Sequence, residues 1–120
     1  MSMAVDNTVE AGKIGDLQPG EMKMIQIQDK KILLARVGNN YYAANDRCPH
    51  MGASLSRGKL EGSIVTCPRH QSQFDLKDGH VVRWTNWSSP LVAVDQVRSR
   101  KRPLPVYPVI VEGDKILIKI

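Results

Sequence analysis

The chain has little of what usually holds a small protein together. Two cysteines among 120 residues allow at most one disulfide. With one Phe, three Tyr and two Trp, the core must be mostly aliphatic. No stretch approaches the ~20 apolar residues of a membrane-spanning helix. The start, Met1 to Thr8, is short and polar and lacks the apolar run of a leader. These absences predict a cytoplasmic protein with no membrane span. There is no internal repeat or low-complexity segment, and the length suits one domain over residues 1–120.

Charge is unbalanced towards the basic side, with 17 Lys and Arg against 12 Asp and Glu, a formal net charge of +5 and a pI near 9.4. The basic residues are dispersed except in the run Arg98, Arg100, Lys101 and Arg102. No nucleic-acid-binding motif accompanies them, so nucleic acid is not the expected partner. Complementary charge predicts a partner protein that is acidic where it docks.

What is present concentrates at two places. Cys48-Pro49-His50 and Cys67-Pro68-Arg69-His70 use both cysteines and two of the three histidines, with 16 residues between His50 and Cys67. Several chemistries accept two thiols and two imidazoles. Tetrahedral Zn²⁺ binds Cys₂His₂, although zinc modules commonly open on a Cys pair and close on a His pair. A Cys–His nucleophile is a second option, but it leaves one Cys–His pair without a purpose. A two-iron cluster held by two Cys on one iron and two His on the other uses all four residues.

The remaining pattern is that of an antiparallel β protein. Gln18-Pro19-Gly20 is a turn, and Met22–Gln28 reads as a strand. Asp29-Lys30-Lys31 leads into a strand over Ile32–Val37, and Gly38-Asn39-Asn40 into another over Tyr41–Asn45. Ser63–Thr66 delivers Cys67, Phe74–Leu76 leaves the second motif, and Lys77-Asp78-Gly79 turns the chain back. Tyr107–Glu112 and Lys115–Ile120 flank Gly113-Asp114 as a last hairpin, while residues up to Val9 are expected to fray. Ser89-Pro90, followed by Leu91, Val94 and Val97 at helical spacing, predicts one short helix that Pro103 stops.

The segments Cys48-Pro49-His50-Met51-Gly52-Ala53-Ser54-Leu55-Ser56-Arg57-Gly58 and Cys67-Pro68-Arg69-His70-Gln71-Ser72-Gln73-Phe74-Asp75, with Asp78-Gly79 beyond, resemble the two cluster loops of Rieske proteins. The match runs closely from Tyr41 to Gly79 and departs at Gln71, where the family most often has Gly. The segment from Gly79 to Pro103 is also longer than in comparable ferredoxins.

The resemblance implies a small antiparallel β-sandwich with an inserted cluster-binding subdomain at about residues 45–80 and the short helix. It implies one [2Fe–2S] cluster per chain, ligated by Cys48, His50, Cys67 and His70. Pro49 and Pro68 would fix the local chain, and Gly52 and Gly58 would admit backbone close to the sulfides. Ser72 matches a serine that donates to a cluster sulfide in high-potential relatives, whereas Phe74 replaces their tyrosine hydroxyl. Asp75 is expected to anchor its loop, and His80 to sit on an exposed strand.

High-potential relatives also carry an extra Cys pair that clamps the cluster loops, and this chain has none to spare. That places it with the soluble Rieske-type ferredoxins of a reducing compartment. A Rieske oxygenase needs a second iron site with two His and one carboxylate, and only His80 remains after the cluster is ligated. The expected function is therefore non-enzymatic: a one-electron carrier between a reductase and a terminal acceptor, by resemblance an oxygenase. The alternatives are an accessory electron-transfer subunit of a larger oxidoreductase and a redox sensor. Trp84 and Trp87 would either cover the sheet or help dock a partner.

Overall fold

A computed structural model describes residues 8–49, 52–69, 71–83 and 103–120. Eleven antiparallel strands form three sheets among the described residues. The strands are β1 (Thr8–Lys13), β2 (Met22–Ile27), β3 (Lys30–Val37), β4 (Asn40–Asn45), β5 (Lys59–Glu61) and β6 (Ile64–Thr66). They continue with β7 (Gln73–Asp75), β8 (Val81–Arg83), β9 (Val106–Tyr107), β10 (Val109–Glu112) and β11 (Lys115–Lys119). The central sheet runs β9-β4-β3-β2, the second β10-β11-β1, and the third β5-β6-β7-β8.

The central sheet is covered on both faces, and the sequence of β3 shows why. Ile32, Leu33, Leu34 and Ala35 are all fully buried, yet successive side chains of a strand point to opposite faces. Ile32 and Leu34 pack with Ala43, Ile116 and Ile118 between the central and second sheets. Leu33 and Ala35 pack with Ala44, Leu55, Val65, Phe74 and Leu76 on the other side, towards the third sheet. Each buried Leu or Ile contributes roughly 1.5–3 kcal/mol relative to exposure. A continuous apolar run, rather than an alternating one, is what a strand with two covered faces requires. The sandwich and an added third sheet are thus both present.

Four details differ from the sequence reading. Thr8 and Val9 do not fray: they pair with Lys119 and Ile118 as part of β1. This polar segment is a strand because its partner provides the ladder, which propensity alone does not reveal. Tyr107–Glu112 is two strands, since Pro108 has no N–H for a ladder. Tyr107 stays on the central sheet beside Ala43, while Val109 crosses to pair with Ile118. Strands β5 and β8 are too short to register as periodic patterns. The only helical element among the described residues is a 3₁₀ turn at Leu55–Arg57; the helix expected at residues 90–98 lies outside the described residues.

Candidate metal centre

Two loops of matching construction emerge from this scaffold. In the first, the Cys48 amide donates to the Ala53 carbonyl at 2.8 Å and the Gly52 amide to the Cys48 carbonyl at 2.8 Å. In the second, the Cys67 amide donates to the Ser72 carbonyl at 2.8 Å. Residues 48–53 and 67–72 therefore share one plan: Cys, then Pro, then a left-handed residue just before the closing carbonyl. That residue is Gly52 (φ +77°) in the first loop and Gln71 (φ +62°) in the second. A side chain in this conformation costs about 1–2 kcal/mol, so the Gln71 turn is as tight as its counterpart but strained. The Arg83 Nε–H donates to the Gln71 carbonyl at 3.0 Å and holds it there.

The first loop has a different anchor. Asp46 is 3% exposed, and its carboxylate accepts from the Ser54 hydroxyl and, at 2.8 Å, from the Ser56 amide. Its main chain joins in, the amide donating to the Lys31 carbonyl at 3.0 Å and the carbonyl accepting from Leu55 at 2.7 Å. One buried side chain thus ties the return limb of the loop to its exit from β4. Below the second loop, Gln73 Nε2 donates to Thr66 Oγ1 at 3.2 Å across the β6–β7 stem.

The two loops touch through Gly58. A Cβ there would stand 1.8 Å from the Thr66 carbonyl oxygen and 3.2 Å from Pro68 Cδ. Only glycine lets the first loop lie against the strand that delivers Cys67. This contact helps bring the thiol-bearing residues together: Cys48 and Cys67 are 2% and 1% exposed and lie in one buried cluster with Leu55, Val65, Phe74 and Leu76. Ser72 and Phe74 are fully buried alongside, whereas Gly52, Pro68 and Arg69 are exposed on the loop crests.

Two buried sulfurs on facing loops fit the Cys half of a two-iron site. Thiolate charge in so dry a place requires cations beside it, and metal binding depends on deprotonated ligands. The other two expected ligands, His50 and His70, lie outside the described residues, as do Trp84, Trp87 and the basic run Arg98 to Arg102.

The Asp75 carboxylate accepts from the Lys77 amide at 2.9 Å and caps the turn after β7. One expectation is corrected. His80 is exposed but stands just before β8 rather than on a strand. Its amide and Nδ1 both approach Asp78 Oδ1, at 3.0 and 2.6 Å. The His80 amide, then its ring, hold the Asp78 carboxyl below its ordinary value. The sequence reading missed Asp46 and Arg83. The signal for Asp46 was a carboxylate two positions before the first Cys with a Ser-x-Ser pair on the return limb.

Comparison with known proteins agrees with this construction. The family profile of the Rieske [2Fe-2S] domain matches residues 7–108. The chain is 39% identical over 113 residues to the 3-phenylpropionate/cinnamic acid dioxygenase ferredoxin subunits of Shigella boydii serotype 4 and Escherichia coli K12, covering 93% of this chain and 92% of each relative. Among solved structures, it superposes on a chain of the complex of reduced oxygenase and oxidised ferredoxin in carbazole 1,9a-dioxygenase with a TM-score of 0.74 at 29% identity, covering 92% of this chain and 99% of that one. The carbazole 1,9a-dioxygenase ferredoxin of Nocardioides aromaticivorans IC177 gives a TM-score of 0.77 at 23% identity, covering 95% and 98%, and shares the fold. The chain belongs to the Rieske [2Fe–2S] family. The family's cofactor is one [2Fe–2S] cluster per chain, and the buried donor set described above is compatible with it.

Proposed function

We propose that the protein is a Rieske-type ferredoxin, a one-electron carrier that accepts from a reductase and delivers to an oxygenase. The observation that carries this reading is the burial of Cys48 and Cys67 in one cluster directly beneath exposed loop crests. A carrier needs its redox group dry enough to limit solvent reorganisation yet close enough to the surface for a partner to approach. When bound, the cluster supplies a single reversible electron. Cys48 and Cys67 would hold one iron, and His50 and His70 the other. The prolines Pro49 and Pro68 and the two closing backbone hydrogen bonds restrict the loops that carry Cys48 and Cys67.

The reading assigns no catalysis to the chain itself: its partners are proteins, acidic where they dock, and its compartment is the reducing cytoplasm. The relatives named as dioxygenase ferredoxin subunits support an oxygenase as acceptor. Among the described residues no helix is long and apolar enough to cross a membrane.

Electron paramagnetic resonance of the dithionite-reduced protein tests the proposal. The expected result is about two irons per chain, a red-brown colour and the rhombic signal of a mixed-valence two-iron site. Replacing Cys48, His50, Cys67 or His70 by Ala should abolish that signal. Without a disulfide clamp, and with Phe74 in place of a hydroxyl, the midpoint should fall on the order of −150 to 0 mV. A colourless protein with one zinc would overturn the assignment.

A further inference from the structure

Beside the first loop the surface opens into a groove of about 680 Å³ whose charge is one-sided. Lys30, Lys31, Arg47 and Arg57 line it, and all four are exposed. Two carboxylates also line it, but Asp46 is buried and committed to Ser54 and Ser56. Asp29 alone remains to balance four cations, and none of the four is in an ion pair with a described carboxylate. Part of the lining is apolar: Met24 is 43% exposed, and the Tyr107 ring lies 5.8 Å from Lys30 Nζ.

The groove also adjoins the candidate metal centre through the chain itself. Arg47 immediately precedes Cys48, and its Nε lies 3.1 Å from where a Cβ of Gly52 would stand. The Arg47 side chain therefore lies across the left-handed residue of the first loop.

We propose that this groove is the docking surface for the acidic face of a redox-partner protein, with Lys30, Lys31, Arg47 and Arg57 receiving its carboxylates. The inference rests on the electron-carrier reading and specifies where its partner sits. Four exposed cations around one groove attract carboxylates from a distance, which accelerates encounter more than it strengthens the final complex. Exposed Met24 and the Tyr107 ring supply the apolar contact that a short-lived complex needs. A partner seated there lies against the first loop, which brings its redox centre near the exit crest. The groove is open, and its four cationic residues are all exposed. That geometry suits an extended protein face better than a small enclosed anion.

The test uses the intact oxidised holoprotein and a hexaglutamate peptide with a water-soluble carbodiimide, which joins a glutamate carboxyl to a lysine amine with loss of water. At about 10 mM salt, where the screening length is about 30 Å, Lys30 and Lys31 should couple about fivefold more than Lys115 and Lys119. The contrast should vanish near 1 M salt, where that length is about 3 Å. Arg57→Glu should lower coupling at Lys30 and Lys31, and Lys115→Glu should leave it unchanged. As a second readout, the reduced protein is oxidised by ferricyanide. The pair Lys31→Glu/Arg57→Glu should slow this about fivefold relative to Lys115→Glu/Lys119→Glu. Each reversal removes two charge units, so both pairs fall from +5 to +1, and only position differs. Even coupling across all lysines, or equal slowing by the two pairs, would overturn the groove while leaving the carrier reading intact. Loss of the visible spectrum and resonance signal in the unmodified protein would instead overturn the carrier reading.

Discussion

The two cysteine-bearing loops share a plan but differ in how they are held. The first has glycine at its left-handed position and a buried carboxylate, Asp46, gathering its return limb through Ser54 and Ser56. The second has Gln71 at the equivalent position, and the Gln71 carbonyl accepts a hydrogen bond from Arg83. One loop is relaxed and anchored from inside; the other is strained and clipped from its flank. The same loop geometry can thus be reached by removing the strain or by opposing it, and the second solution is weaker. Local stability should therefore be lower at the second loop.

The largest expected effect comes from separating the loops. Gly58→Ala puts a methyl group 1.8 Å from the Thr66 carbonyl oxygen, which belongs to strand backbone that cannot step aside. A loss of about 3 kcal/mol is expected, at the upper end of overpacking costs. For a chain of this size that is about 12 °C in the thermal midpoint, read from cluster absorbance. A Gly58→Ala protein within about 2 °C of the parent would mean that the loops are not in contact as described.

The anchors themselves come next. Asp46→Ala leaves the Ser54 hydroxyl and the Ser56 amide without their acceptor, and should cost about 2–3 kcal/mol. Arg83→Ala removes one half-buried bond to the Gln71 carbonyl and should cost about 1 kcal/mol. Thermal midpoints of the two variants measure the difference directly. Equal losses would show that the two loops are anchored alike, and the comparison would fail.

Much of this was legible in the sequence because it depends on local chemistry. The Cys-Pro loops, the hairpins through Lys30–Asn45 and the final hairpin are all written as residue types at fixed spacing. What was not legible depends on partners distant in sequence. Thr8–Lys13 is a strand only because Lys115–Lys119 lies beside it, and Pro108 reveals a change of sheet only once two sheets are known to meet there. Asp46 reads as an ordinary polar residue until Ser54 and Ser56 return to it. Arg83 likewise has no signature, since its partner is a backbone carbonyl twelve positions earlier. Gln71 was visible as a departure from the family's glycine, but its φ had to be seen.

The smallest effect tests the strained loop from the opposite direction. Gln71→Gly removes a side chain from a left-handed residue and should recover the about 1–2 kcal/mol that such a conformation costs. Glycine also gives the unfolded chain more freedom, which offsets about 0.4–1 kcal/mol of that gain. The carbonyl that Arg83 holds is unchanged by the substitution, so that bond persists. A net stabilisation of about 0.5–1 kcal/mol, or roughly 2–4 °C in Tm, is expected. In the Arg83→Ala background the gain should be the same or smaller, because a loop without the clip can already relax part of the strain that glycine would remove. If Gln71→Gly is neutral or destabilising in both backgrounds, the second loop is not strained. The difference between the loops would then lie wholly in Asp46.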